Sequence, residues 1–268
     1  MIRQFLNPPN WFTAASIFCS VYAISLLIGQ PEVTTDVLAR AAMLVCFGGV
    51  FDLLDGRVAR LTNRSSEFGV QLDSLADVVS FGVAPAMLAW AWKLGELGIV
   101  GAFIAFWFVL CASFRLARFN ADAAVGTRNG DEWAHSGHSR GLTTTMAGGS
   151  LVTMVWVSCG YMQDVFAGVP AVAVAVVVAT LATLMVSSVP FRSFRDARSN
   201  RNARTILAIA LASCLLGAVF LDPSMWFGVG AFLYLTWGLL DGLTVALLHR
   251  IRGRDDLSVL VTEEYRRP

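Results

Sequence analysis

Charge is scarce in this chain. Of 268 residues only 15% are Asp, Glu, Lys or Arg, while 56% are hydrophobic and the mean hydropathy is +0.63. A water-soluble domain carries about a quarter charged residues, so that class is excluded. The charges nearly cancel, 20 Lys and Arg against 19 Asp and Glu, and the pI is near 7.7. That balance lacks the strongly basic surface nucleic-acid binding requires. Paired cysteines are missing too. Cys19, Cys46, Cys111, Cys159 and Cys214 stand singly in five apolar runs with no Cys-x-x-Cys spacing, which points to small buried hydrophobes and away from redox or metal chemistry. There is no repeat at a fixed period, no low-complexity segment and no polar stretch long enough for a soluble domain.

What the chain has in abundance is long apolar runs. A bilayer-crossing helix needs roughly 17 to 25 predominantly apolar residues. About eight such runs follow one another, near 11–29, 37–56, 70–92, 98–118, 141–162, 169–189, 205–221 and 226–248. The fold predicted is all-α, a polytopic membrane helical bundle with a six-helix catalytic core extended by two further helices. Residues 1–248 form one transmembrane domain and 249–268 a charged tail. The first run is preceded by a single cation, Arg3, and lacks a small-residue cleavage pattern; it reads as a helix of the mature protein and not as a secretory signal.

The cations are distributed by side. If the helices alternate, the breaks holding Arg57, Arg60 and Arg64, then Arg115, Arg118, Arg128 and Arg140, then Arg192 to Arg204 fall on one face, with Arg3 and the tail cations. Arg40 and Lys93 fall on the other, beside Glu32, Asp36, Glu96, Asp164 and Asp222. The positive-inside rule makes the basic face cytoplasmic and places both termini there. The expected location is the cell inner membrane.

Against this scarcity, FDLLDGRVARLTNRSSEFGVQLDSLAD from Phe51 to Asp77 holds four aspartates beside membrane. Asp52, Asp55 and Ala59 are spaced i, i+3, i+7, one stripe of a helix; Gly69, Asp73 and Asp77 are spaced i, i+4, i+8, one stripe of the next. Two helices joined by a short arginine-bearing turn thus bring four carboxylates together. Each costs a few kcal/mol at membrane depth if unpaired, and together they repel, so positive charge must accompany them. One source is an ion-pair network with Arg57, Arg60 and Arg64. Another is a hard divalent cation, which selects all-oxygen sites; two such ions between the stripes would clamp a phosphate or pyrophosphate. Small residues at Gly56, Ala59 and Gly69 leave room for close backbone approach to a ligand, although small residues also serve helix packing in membranes.

The pattern Asp52-x2-Asp55-Gly56-x2-Ala59-Arg60-x8-Gly69-x3-Asp73-x3-Asp77 resembles the complete signature of the CDP-alcohol phosphatidyltransferases, with every spacing kept. The resemblance implies transfer of a phosphatidyl group from a CDP-linked lipid to a small alcohol with release of CMP. It implies a two-ion Mg²⁺ or Mn²⁺ site on Asp52, Asp55, Asp73 and Asp77, with Asp77 also the general base and Asp73 beside it in the catalytic pair. Gly56, Ala59, Arg60 and Gly69 would hold the cytidine diphosphate portion. It also implies a homodimer embedded among membrane lipids.

The acceptor is addressed by other segments. Ser80 to Ala86 (SFGVAPA), 114–120 (FRLARFN), 185–196 (MVSSVPFRSFRD) and Asn10 to Cys19 are similar to stretches of the membrane-embedded phosphatidylserine synthases. That subfamily implies CDP-diacylglycerol and L-serine as substrates. One stretch departs: where a Gly-Leu-Pro-x-Pro is usual, this chain has Gly141, Leu142, Thr143, Thr144 and Thr145. A serine carboxylate calls for a guanidinium, and Arg118, Arg115, Arg140 and Arg192 are the candidates, with Asn120 as polar neighbour. Interfacial anchoring is the competing explanation for each arginine. Other acceptors in the same class are choline, glycerol 3-phosphate, inositol and inositol phosphate. A rival of another class is a cation transporter with conducting intramembrane acids.

Overall fold

The structure, a computed structural model, describes residues 8–30, 32–61, 67–125, 138–160, 162–187 and 189–192, together with isolated positions between 224 and 238. The expected helix 205–221 and the tail 249–268 lie outside the described residues, as does most of 226–248. The chain divides into two compact units, Met1–Leu116 with Thr144–Met185, and Ala117–Thr143 with Val186–Pro268.

The first unit is helical. Helix α1, Pro8–Ile28, begins on two prolines, whose fixed φ and missing N–H suit a first turn. It stops where the Gly29 N–H donates to the Ser25 carbonyl. Helix α2, Thr35–Leu61, starts from Thr34, whose hydroxyl accepts the Val37 N–H at 3.4 Å. Asp36 in that first turn is ion-paired with Arg40, the favoured placement for an acid at a helix start. Helix α3, Glu67–Asp77, runs into a π-helical segment, Val78–Val83, and then into α4, Ala84–Trp92. The sequence expectation of one helix from 70 to 92 misses this wider turn. Pro85 has no N–H for the Phe81 carbonyl, and the chain accommodates it by widening, with the Ala84 N–H donating to Val79. After Gly98, at φ 54°, helix α5 runs Ile99–Val125. Helix α6, Thr144–Cys159, the short α7, Gln163–Ala167, and α8, Ala171–Val186, follow.

Four helical stretches are long and apolar enough to cross a membrane: Pro9–Ile28, Thr35–Val58, Glu67–Trp92 and Ile99–Asp122. The chain is an integral membrane protein of the all-α class. Helices α6 and α8 have 16 residues each, just short of a full crossing. Large apolar side chains such as Phe18, Phe47, Phe103, Phe106 and Val176 point outward, as expected where lipid replaces water as the solvent. The core mixes alanine with valine and leucine: Ala23 of α1, Ala41, Ala42 and Val45 of α2, Ala84 and Leu88 of α4, Val152 and Val155 of α6. Lipid provides no hydrophobic force between helices, so close approach at the alanines contributes to the packing.

The second unit contains the one departure from pure helix among the described residues. Strand β1, His138–Arg140, pairs antiparallel with β2, Pro190–Arg192, in the register His138 to Arg192 and Arg140 to Pro190. The expected helix 141–162 therefore begins three residues late. Gly141 adopts φ 73° and donates its N–H to the Val189 carbonyl at 2.9 Å, a left-handed conformation that glycine tolerates and that interrupts a helix.

Candidate functional site

The acids stand on two neighbouring helices of the first unit. Asp52 and Asp55 are near the end of α2, and Asp73 and Asp77 are on α3. Helical spacing turns both members of each pair to one side. Carboxylate oxygens of Asp52, Asp55 and Asp73 lie within 4.8 Å of one another, with Asp55 buried and the other two half-buried. The Asp77 carboxyl stands within hydrogen-bonding reach of that of Asp52. Both helical stripes thus meet as the spacing predicts.

At that separation each ionised pair repels by about 3 to 4 kcal/mol in a medium of effective dielectric 20. The ion pairs described, Arg40 with Asp36 and Lys93 with Glu96, lie elsewhere, and the Arg57 side chain is exposed. Arg57 therefore gives no support to an ion-pair network; Arg64 and the Arg60 side chain lie outside the described residues. The donor set fits a divalent cation. Oxygens bound to a common Mg²⁺ at about 2.1 Å lie no more than about 4.2 Å apart, so the three carboxylates stand close to coordinating separation. All donors are hard oxygens, with no sulfur or imidazole among them.

Two groups outside the aspartates hold Asp55. The Thr13 hydroxyl of α1 donates to Asp55 Oδ2 at 2.7 Å, and the Gly56 N–H also donates to this carboxylate. Thr13 was absent from the sequence-based site. A signal for it exists in hindsight, since Asn10, Thr13, Ser16 and Ser20 are all buried along α1 and fall within about a third of its circumference at 100° per residue.

The remaining candidates divide between units. Gly56, Ala59 and Arg60 follow the first acid pair on α2, and Gly69 precedes the second by one turn on α3. Arg115, in the first unit, donates to the Thr144 hydroxyl at 3.5 Å, so Thr144, within the threonine run that replaces the usual prolines, touches a candidate acceptor cation. Arg118, in the second unit, donates to the Val186 carbonyl at 3.4 Å. Asn120 follows it on α5. Arg140 and Arg192 occupy β1 and β2, opposite Pro190 and His138 respectively.

Comparison with known proteins agrees with the acid geometry. A CDP-diacylglycerol–serine O-phosphatidyltransferase of Helicobacter pylori is 40% identical over 136 residues, 49% of this chain and 53% of that protein. The protein of the same name from Saccharomyces cerevisiae is 44% identical over 129 residues, 46% of this chain and 44% of that one. That from Methanocaldococcus jannaschii is 47% identical over 102 residues, 37% and 49% of the respective chains. The match spans about half the length of these curated relatives. A family model, CDP-alcohol phosphatidyltransferase, matches residues 6–186, which contain all four aspartates; members of that family use divalent metal ions. With that match across most of the described helices and the acids converging as its chemistry needs, the chain belongs to the CDP-alcohol phosphatidyltransferase family.

Proposed function

We propose that this protein transfers the phosphatidyl group of CDP-diacylglycerol to the hydroxyl of L-serine, giving phosphatidylserine and CMP. The observation that carries the reading is the convergence of Asp52, Asp55 and Asp73 to within 4.8 Å, with Asp77 against Asp52. The serine acceptor is supported by the names of the relatives.

In this reading Asp52, Asp55, Asp73 and Asp77 hold two divalent ions, Mg²⁺ or Mn²⁺. Bound there, such ions neutralise pyrophosphate and leaving-group charge. Asp77 takes the proton of the attacking hydroxyl. Gly56, Ala59, Arg60 and Gly69 accommodate the cytidine diphosphate portion, where absent or short side chains let backbone approach the ligand. Arg118, Arg115, Asn120, Arg140 and Arg192 meet the acceptor carboxylate, a task suited to the guanidinium fork. The acyl chains stay in the bilayer, which accounts for acids placed at the ends of spanning helices. The protein works as a homodimer in the cell inner membrane, with the site and both termini on the cytoplasmic side.

The test is CMP release by the purified protein from CDP-diacylglycerol with Mn²⁺ or Mg²⁺, across serine, choline, glycerol 3-phosphate, inositol and inositol phosphate. Release with serine alone, lost on chelation, is expected. Release with a different alcohol moves the enzyme to another branch of the family, and none with any acceptor favours the cation transporter.

A further inference from the structure

The mechanism uses four carboxylates but leaves unexplained a line of buried hydroxyls on the helix beside them. Thr13, Ser16 and Ser20 of α1 are exposed by 4%, 1% and 0%. They do not all follow the usual habit of hydroxyls in membrane helices, which bond back to their own helix, as Thr153 and Thr180 do here. Thr13 sends its proton across to Asp55 at 2.7 Å; the Pro9 carbonyl, at 3.4 Å, is the poorer acceptor. Ser20 donates to the Ser80 hydroxyl at 2.9 Å, and Ser16 lies 3.1 Å from the same atom. Ser80 is 1% exposed and sits in the π-helical segment, three residues after Asp77.

We propose that these α1 hydroxyls are positioning residues for the acid cluster, Thr13 by orienting Asp55 and Ser16 with Ser20 by fixing, through Ser80, the turn that follows Asp77. Each acid-bearing helix then has an anchor on a third helix. The chemistry favours this arrangement over simple helix adhesion. A carboxylate among other carboxylates is driven apart from them by charge, and a neutral donor holds it in place without consuming its negative charge as an arginine would. Thr13 spends its single proton on one oxygen, which leaves the other lone pairs of Asp55 for a cation. The π segment needs a comparable anchor: it follows Asp77 directly, and two buried α1 hydroxyls meeting that of Ser80 fix a turn that backbone bonding alone leaves wider than an α-helix.

This inference rests on the acids being a metal site, and its test separates the two. Mn²⁺ binding to the full-length protein in detergent, without substrate, is followed by the electron-paramagnetic signal of free Mn²⁺, alongside thermal unfolding and CMP release. Binding by the wild type tests the metal site itself. Thr13→Val, which keeps shape and removes the proton, is expected to weaken Mn²⁺ binding about 10- to 100-fold, as loss of groups that orient metal ligands does. It should lower kcat with little change in the KM for CDP-diacylglycerol, and Thr13→Ser should restore both. Ser80→Ala should move binding in the same direction, while Thr153→Val, which removes a buried hydroxyl remote from the acids, should not. Wild-type Mn²⁺ affinity in Thr13→Val would overturn the proposal, as would a lowered melting temperature with affinity unchanged. Thr13→Ala supplies the same comparison if the valine variant does not fold.

Discussion

Among the four aspartates Asp77 has a place of its own. Asp52, Asp55 and Asp73 form the tight group, and Asp77 meets it through Asp52. A carboxyl at the margin of a metal cluster is the one with an oxygen to spare for a substrate proton. Asp77→Asn keeps size and would remove the proposed base, so CMP release should fall by at least about 10²-fold, the usual contribution of a positioned base, with the melting temperature retained. Single-turnover release near the wild-type rate would take the base role away from Asp77. At this scale much of the site was legible in the chain. The spacings of 3 and 4 between the acids are helical spacings, and a helix turns such residues to one side whatever surrounds it. Thr13 was not legible, because it reaches Asp55 across 42 residues and nothing local distinguishes it from a threonine bonded to its own helix.

The element that departs most from expectation is the third membrane stretch. It is read from composition as one helix, yet it consists of α3, a π-helical turn and α4. Pro85 is visible in the chain as an interruption, but whether such a helix kinks, breaks or widens depends on what packs against the freed carbonyl. Here α6 does so through Gly148: a Cβ at that position would sit 2.4 Å from the Phe81 carbonyl oxygen and 2.9 Å from its Cα. Those are backbone atoms, which do not yield as a flexible side chain does. Gly148→Ala should therefore destabilise the protein by about 1 to 3 kcal/mol, the range for overpacking a tight core, read as an earlier thermal transition in detergent. A variant that melts with the wild type would mean that α6 and the π turn separate without cost. Likewise the helix expected from 141 starts at Thr144, because Gly141 turns left-handed and closes onto Val189.

On the scale of the whole molecule, membrane residence follows from quantity. Four described stretches are long and apolar enough to span, and with 15% charged residues the chain has little with which to cover a water-facing surface. Orientation is the part that invites measurement. The positive-inside rule predicts that the arginine-rich breaks face the cytoplasm, so a fluorescent protein fused after Pro268 should fluoresce in a bacterial host and an alkaline phosphatase fused there should be inactive. The reverse result would turn the molecule over and put the acids on the outer face.

The amino-acid order alone settled which solvent the chain lives in, that the described apolar runs are mainly helical, and that four acids share two adjacent helical stripes, because hydropathy and the period of 3.6 act locally. The tertiary structure decided how close the acids come, that Pro85 is absorbed as a π turn against Gly148, and that α1 supplies hydroxyls to both acid-bearing helices. The α1 hydroxyl contacts join residues 42 to 64 positions apart, and only the packing of one helix on another brings such residues into reach.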